Sequence, residues 1–211
     1  MASVVFLFAP GAGLPSDSPW MTRWAGYLEP FGSVVRFDYP YRLAGKQRPD
    51  RLPVLIEHHQ RMLDDVRSTY SDRSIVLVGK SMGSRVGCHV ATQTEVHAVV
   101  CLGYPLLGGG RPDKRRDQVL RELRTPIQFI QGTRDRLCPL EDLEILRGEL
   151  QAPSALHIVE TGDHSLMMTK TYQKQTGMTQ AAAEAMAVDQ IFGFINRLPT
   201  PAEGARAATT H

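Results

Sequence analysis

The sequence predicts an α/β fold: a doubly wound, mainly parallel sheet of about six strands, with helices on both faces and no cap domain. Three observations carry this. Short β-branched, apolar runs alternate with stretches of helical periodicity. Several of those runs are apolar throughout, as strands covered on both faces must be. No insert between them is long enough to build a separate lid.

The strands are expected over 3–9, 33–38, 74–79, 96–102, 126–131 and 155–160. The first resembles a signal-peptide core, but it lacks a positive flank and runs into Pro10-Gly11-Ala12-Gly13, so it reads as a strand. Ser16 to Ser18 can cap a helix with Pro19 in its first turn, carrying Trp20, Trp24 and Leu28 on one face. A helix over 52–70 places Leu55, His59, Met62, Val66 and Tyr70 at three-to-four spacing. Another follows Ser81, with Gly83, Gly87 and Ala91 at helical intervals. Asp113 to Arg124 is a weaker helical stretch. Pro139 opens a helix with Leu143, Leu146 and Leu150 inward, and 180–197 carries Val188, Ile191, Phe192 and Ile195. Residues 1–198 are therefore expected to form one domain, and 199–211, rich in Ala, Thr and Pro, a flexible C-terminal tail.

A chain of 211 residues, 42% hydrophobic and 22% charged, can bury a core without disulfides. A net charge of +2 gives no reason to expect nucleic-acid binding. The densest charge run, Lys114-Arg115-Arg116 between Asp113 and Asp117, reads as a solvated helix face. Cys88, Cys101 and Cys138 are odd in number and lack metal-ligand spacing, so reduced thiols and a cytoplasmic location are expected. No apolar stretch reaches the roughly 18 residues of a membrane span. Apolar helix faces and edge strands allow a homodimer.

The chemistry centres on Gly79-Lys80-Ser81-Met82-Gly83, which follows the apolar run Ile75-Val76-Leu77-Val78. Strand, Gly-x-Ser-x-Gly, helix is the pattern of a nucleophile elbow: a tight turn presents the serine at the helix's positive end. A serine hydroxyl is a weak nucleophile and needs a base, an acid to orient the base, and donors for an oxyanion. Chain order Ser, acid, His, each after a strand, selects Asp135 in the loop after Ile127–Ile130 and His164 after Leu156–Val159. Asp163 competes as the acid, but adjacent side chains align poorly with each other. His58, His59, His89, His97, His157 and His211 lie on helices, in strands or in the tail. Backbone N–H groups of Met82 and Ala12, with Gly11 as the alternative to Ala12, are the expected oxyanion donors. Tyr39, Tyr104, Leu106, Leu166 and Met167 fall on the same sheet edge and are expected to line a substrate pocket; Tyr41 and Met168 lie beside them. Arg42, Lys46 and Arg48 read as a solvated loop rather than as a feature that favours an acidic substrate.

Two other readings fail on particular residues. Gly79-Lys80-Ser81 also ends a phosphate-binding loop, but the required first glycine is Ser74 and the intervening residues form a strand. A Ser–Lys dyad through Lys80 is disfavoured because neighbours on a tight elbow point apart.

With these motifs in place, the chain resembles the α/β-hydrolase superfamily over nearly its whole length. It looks like a small bacterial member of the dienelactone-hydrolase-like group. It is also similar to the hydrolase-like domain shared by a testis-expressed protein and a subunit of the nonspecific-lethal chromatin complex. The phrases carrying the narrower match are Gly79 to Arg85, Leu102-Gly103-Tyr104-Pro105-Leu106, and Gln131-Gly132-Thr133-Arg134-Asp135. The resemblance implies Ser81 as nucleophile, Asp135 as acid and His164 as base. It implies esterase-like action on a small-molecule ester or thioester, with no cofactor and no metal. Many relatives have His-Gly where this chain has Pro10-Gly11, which implies an oxyanion loop held in another way. The alternative reading is a catalytically silent hydrolase fold that serves as a protein-binding module.

Overall fold

The computed structural model describes residues 4–109 and 111–199. The expected C-terminal tail and His211 lie outside the described residues, apart from Pro199. The strands are β1 Val4–Ala9, β2 Gly32–Arg36, β3 Ser74–Lys80, β4 Ala98–Leu102, β5 Leu107–Gly108, β6 Arg111–Arg115, β7 Ile127–Gly132 and β8 Ser154–Val159. The helices are α1 Pro19–Leu28, α2 Pro40–Leu43, α3 Leu52–Thr69, α4 Met82–Ala91, α5 Gln118–Glu122, α6 Leu140–Gly148, α7 Lys170–Thr176 and α8 Gln180–Asn196.

Six strands form one sheet in the order β2-β1-β3-β4-β7-β8, and every pairing within it is parallel. Side chains alternate between its faces. Val5, Leu7, Ile75 and Leu77 join the core that holds Leu55, Leu63 and Val66 of α3, Val86 of α4 and Leu143 of α6. Phe6, Phe8, Val76 and Val78 point the other way, against Trp24 and Leu28 of α1 and Ala187, Ile191 and Phe194 of α8. The four inner strands β1, β3, β4 and β7 are therefore buried along their whole length, which is why their sequences show no polar alternation. Each fully buried Leu, Val or Phe here contributes about 1.5–3 kcal/mol through water released from apolar surface.

Local signals set the element ends. Ser18 caps α1, its hydroxyl accepting from Met21 N, and Pro19 occupies the first turn. Thr179 caps α8 in the same way through Ala182 N. Cys88, Cys101 and Cys138 are buried free thiols, with the Cys88 and Cys101 sulfurs 3.9 Å apart. No helix among the described residues is long and apolar enough to cross a membrane.

One segment departs from the sequence reading. β5 and β6 pair antiparallel as a small hairpin, and of the stretch expected to be helical only Gln118–Glu122 is. Lys114 and Arg115 therefore sit on a strand, not on a helix face. Asp113, Lys114 and Arg115 of β6 are all exposed, so the strand shows no alternation there that a sequence pattern can reveal. The short helices α2 and α7 also escaped the periodicity test, because each spans two turns or fewer.

Candidate active site

Parallel pairing aligns the strand ends. Ala9 lies opposite Gly79, Lys80 opposite Leu102, and Gly132 opposite Val159. The loops after β1, β3, β4, β7 and β8 therefore emerge on one edge, and that edge carries Gly11, Ser81, Tyr104, Asp135 and His164.

Ser81 sits between β3 and α4 with φ 50° and ψ −110°. A positive φ at a residue with a Cβ is strained, and such strain persists only where surrounding packing enforces it. The enforcement comes from two glycines. A Cβ on Gly79 would lie 2.2 Å from Ser84 N, and one on Gly83 would lie 2.5 Å from Ala9 O. Helix α4 can thus pack directly onto its own strand and onto the end of β1. The Ser84 hydroxyl donates to Gly79 O at 2.6 Å and ties the turn shut.

Three side chains meet there. Ser81 Oγ is 2.7 Å from His164 Nε2, and His164 Nδ1 is 2.7 Å from Asp135 Oδ2. Asp135 is 3% exposed, whereas the His164 side chain keeps 28% of its surface open. The Asp135 carboxylate also accepts from the Gln131 side-chain amide at 2.5 Å and from Leu137 N at 2.9 Å. Because a carboxylate only accepts, His164 carries its proton on Nδ1, which leaves Nε2 free to accept from the serine hydroxyl.

The loop bearing His164 is held from both sides. The Lys80 amine, buried at 5% exposure, donates to His164 O. It lies 5.5 Å from the centre of the Trp20 ring, and Trp20 Nε1 donates to Ser165 O at 3.0 Å. Burial lowers the Lys80 pKa to about 8, against the opposing pull of Asp135 and Asp163. Asp163 does not reach the imidazole as an alternative acid. It accepts from Ser165 N at 2.7 Å and Met167 N at 3.0 Å, so it shapes the loop instead.

The loop after β1 approaches the serine: a Cβ on Gly11 would stand 3.6 Å from Ser81 Cβ. Leu14 N donates to Gly11 O at 3.2 Å, and Gly13 N donates to the Tyr41 hydroxyl at 3.1 Å. Those two bonds hold the loop that follows Pro10. They leave the N–H groups of Gly11 and Ala12 without a hydrogen-bond acceptor among the described residues. Met82 is the first residue of α4, where backbone N–H groups are unspent by the helix.

The alpha/beta hydrolase domain profile matches residues 2–196. The chain belongs to the alpha/beta hydrolase family. Among solved structures, this alpha/beta hydrolase is similar to an alpha-beta serine hydrolase homologue from Coxiella burnetii, with a TM-score of 0.69, 18% identity, and coverage of 89% of this chain and 84% of that one. It is also similar to dienelactone hydrolase from Anabaena variabilis, with a TM-score of 0.67, 19% identity, and coverage of 92% and 87%. At such identities the likeness shows the fold. Protein sumv-2 of Caenorhabditis elegans is 26% identical over 145 residues, which span 66% of this chain but only 13% of that much longer protein.

The pocket expected for this hydrolase needs correction. Tyr39, Tyr104 and Leu106 are fully buried and Leu166 is 1% exposed, so they belong to the core rather than to an open wall. The Tyr39 hydroxyl pairs with His59 Nδ1 at 3.2 Å, and the Tyr104 hydroxyl donates to Arg116 O at 2.7 Å. Of the five, only Met167, at 38%, stands open to solvent. Aromatic residues near a sheet edge satisfy sequence criteria for a pocket and for a core equally well; depth separates them.

The roles of three residues escaped the sequence reading. Gln131 is completely buried, holds Asp135 through its amide and accepts from Tyr104 N at 3.0 Å. Its signal was a glutamine at the end of a strand with few polar residues, Ile127–Gly132, where a buried polar group needs a partner. The clamp by Lys80 and Trp20 left no such signal, because it joins segments far apart in the chain.

Proposed function

We propose that the protein is a serine hydrolase that cleaves a carboxylic ester or thioester of a small molecule through an acyl-enzyme. The observation that carries this reading is the unbroken series Ser81 Oγ, His164, Asp135, with both links at 2.7 Å. His164 Nε2 takes the Ser81 proton as Oγ attacks the carbonyl carbon. The oxyanion is held by the N–H groups of Met82 and Ala12, with Gly11 N–H beside them. Asp135 stabilises the imidazolium. The tetrahedral intermediate collapses, and the alcohol or thiol leaves with the proton from His164. Water then attacks the carbonyl carbon of the acyl-Ser81 ester and gives a proton to His164. The acid departs, and the proton returns to Ser81. The buried thiols favour a cytoplasmic setting.

The test is labelling by a fluorophosphonate together with turnover of p-nitrophenyl acyl esters. Ser81→Ala and His164→Ala should lose about 10⁴-fold or more in kcat, and Asp135→Asn a comparable factor by stabilising the wrong imidazole tautomer. Folded wild-type protein that neither labels nor turns over would favour the silent binding module. Wild-type turnover by Ser81→Ala would remove the assignment of the nucleophile.

A further inference from the structure

A cleft of about 240 Å³ opens beside α4, lined by Arg85, His89, Arg115, Arg116, Gln118 and Glu122. Its position follows from helical spacing. Arg85 and His89 lie four residues apart on α4, so both follow one face of the helix, and Arg85 stands in its first turns, just past Met82. At 1.5 Å per residue, Arg85 stands about 4.5 Å along the axis from Met82, the residue after the serine. Cα–Cβ bonds on a helix tilt towards its N-terminus, so Arg85 leans to the Ser81 end.

The hairpin brings the other cations. Arg116 N donates to Leu106 O at 2.8 Å, and Arg116 O accepts from Tyr104, whose own N–H is held by Gln131. The same buried amide that orients Asp135 thus helps fix the wall of this cleft.

Charge in the cleft is unbalanced. Three arginines line it against one carboxylate: Arg115 is engaged by Asp117 and Asp142, both at 3.2 Å, while Glu122 accepts only from the uncharged Gln118 amide at 2.9 Å and so remains the one opposing charge on the lining. Arg85 and Arg116 form no ion pair among the described residues. Arg85 Nε and His89 Nε2 are buried with no hydrogen-bond partner. Burial and then the Arg116 charge lower the Arg85 pKa. Burial and then Arg85 lower that of His89, with Glu122 opposing. Two guanidinium groups held together in this way repel each other until an anion enters, and their planar forks fit carboxylate or phosphate oxygens.

We propose that this cleft binds the carboxylate or phosphate of an acidic ester while Ser81 attacks that ester's carbonyl. The inference rests on the esterase reading above. It makes Arg85 and Arg116 the determinants of preference for acidic substrates.

The experiment compares mono-p-nitrophenyl glutarate with p-nitrophenyl pentanoate, which match in length and differ in the terminal charge. Wild type should favour the glutarate by about tenfold or more in kcat/KM, as expected for a charge-assisted contact. Arg85→Gln and Arg116→Gln should each bring the ratio towards one, mainly through KM. Arg61→Gln, at an exposed position on α3, should leave the ratio where it was. A wild-type ratio near one, or a preference for pentanoate, overturns the proposal. Calorimetric titration of Ser81→Ala protein with glutarate and with inorganic phosphate separates binding from chemistry. Binding of either anion, lost in Arg85→Gln, supports the cleft even where neither ester is hydrolysed, in which case the esterase reading alone falls. No binding of either anion and no acidic preference sinks the cleft while leaving the esterase untouched.

Discussion

The Lys80 amine is bonded to the backbone carbonyl of His164, so the residue before Ser81 holds the residue whose ring meets the Ser81 hydroxyl. This couples the turn at Ser81 to the His164 loop while leaving Lys80 outside the series Ser81, His164, Asp135. Lys80→Met should lower kcat by about 10–100-fold with little change in KM, because a small displacement of the base is costly in rate. An unchanged kcat would sink that role.

The same lysine gives a pH signature. In the folded protein it titrates near 8, and in the unfolded chain near the ordinary value of 10.5. Between those values the unfolded chain binds a proton that the folded one does not. The lysine's contribution to stability therefore rises from pH 8 to about 10.5. Urea unfolding at pH 7.5 and pH 10 should show wild type gaining relative to Lys80→Met; parallel behaviour of the two proteins would count against it.

Gln131 links Asp135 to Tyr104 N inside the core. Gln131→Leu strips the acid of one donor and leaves a buried N–H without its acceptor. Stability should fall by about 1–3 kcal/mol, and kcat should fall as well. Thermal unfolding and ester turnover measure the two losses separately.

Gly83→Ala places a methyl 2.5 Å from Ala9 O and 2.7 Å from Pro10 O, neither of which can move without shifting β1 and the loop behind it. A loss of more than about 2 kcal/mol is expected, with impaired activity. Gly148→Ala is the control. Nothing lies within 4 Å of that site, and a stability gain of about 0.5–1 kcal/mol is expected at the end of α6.

His59 predicts the acid limb. Burial, aided by His58, pushes its pKa down to about 3, so the folded protein keeps it neutral while the unfolded chain protonates near 6.5. Stability from this residue is present above pH 6.5 and is lost as pH falls towards 3. His59→Phe should flatten that slope in denaturation curves between pH 7 and pH 4, although it costs Tyr39 its partner.

The sequence by itself determined the layered parallel sheet, the elbow and the three members of the hydrogen-bonded series. Each of these is written locally: a continuous apolar run, a Gly-x-Ser-x-Gly turn, an Asp or a His just past a strand. Parallel pairing does the rest, since it delivers every strand end to one edge. Only the tertiary structure decided what surrounds that edge. Depth moved Tyr39, Tyr104 and Leu106 from pocket to core, because an aromatic ring beside a sheet reads the same at either depth. Long-range contacts gave Lys80 and Gln131 their roles, and the hairpin carried Arg116 to Arg85, 31 positions away in the chain. Periodicity reports the face on which a residue lies. Which distant residue meets it there is set by packing, and local pattern holds no record of that.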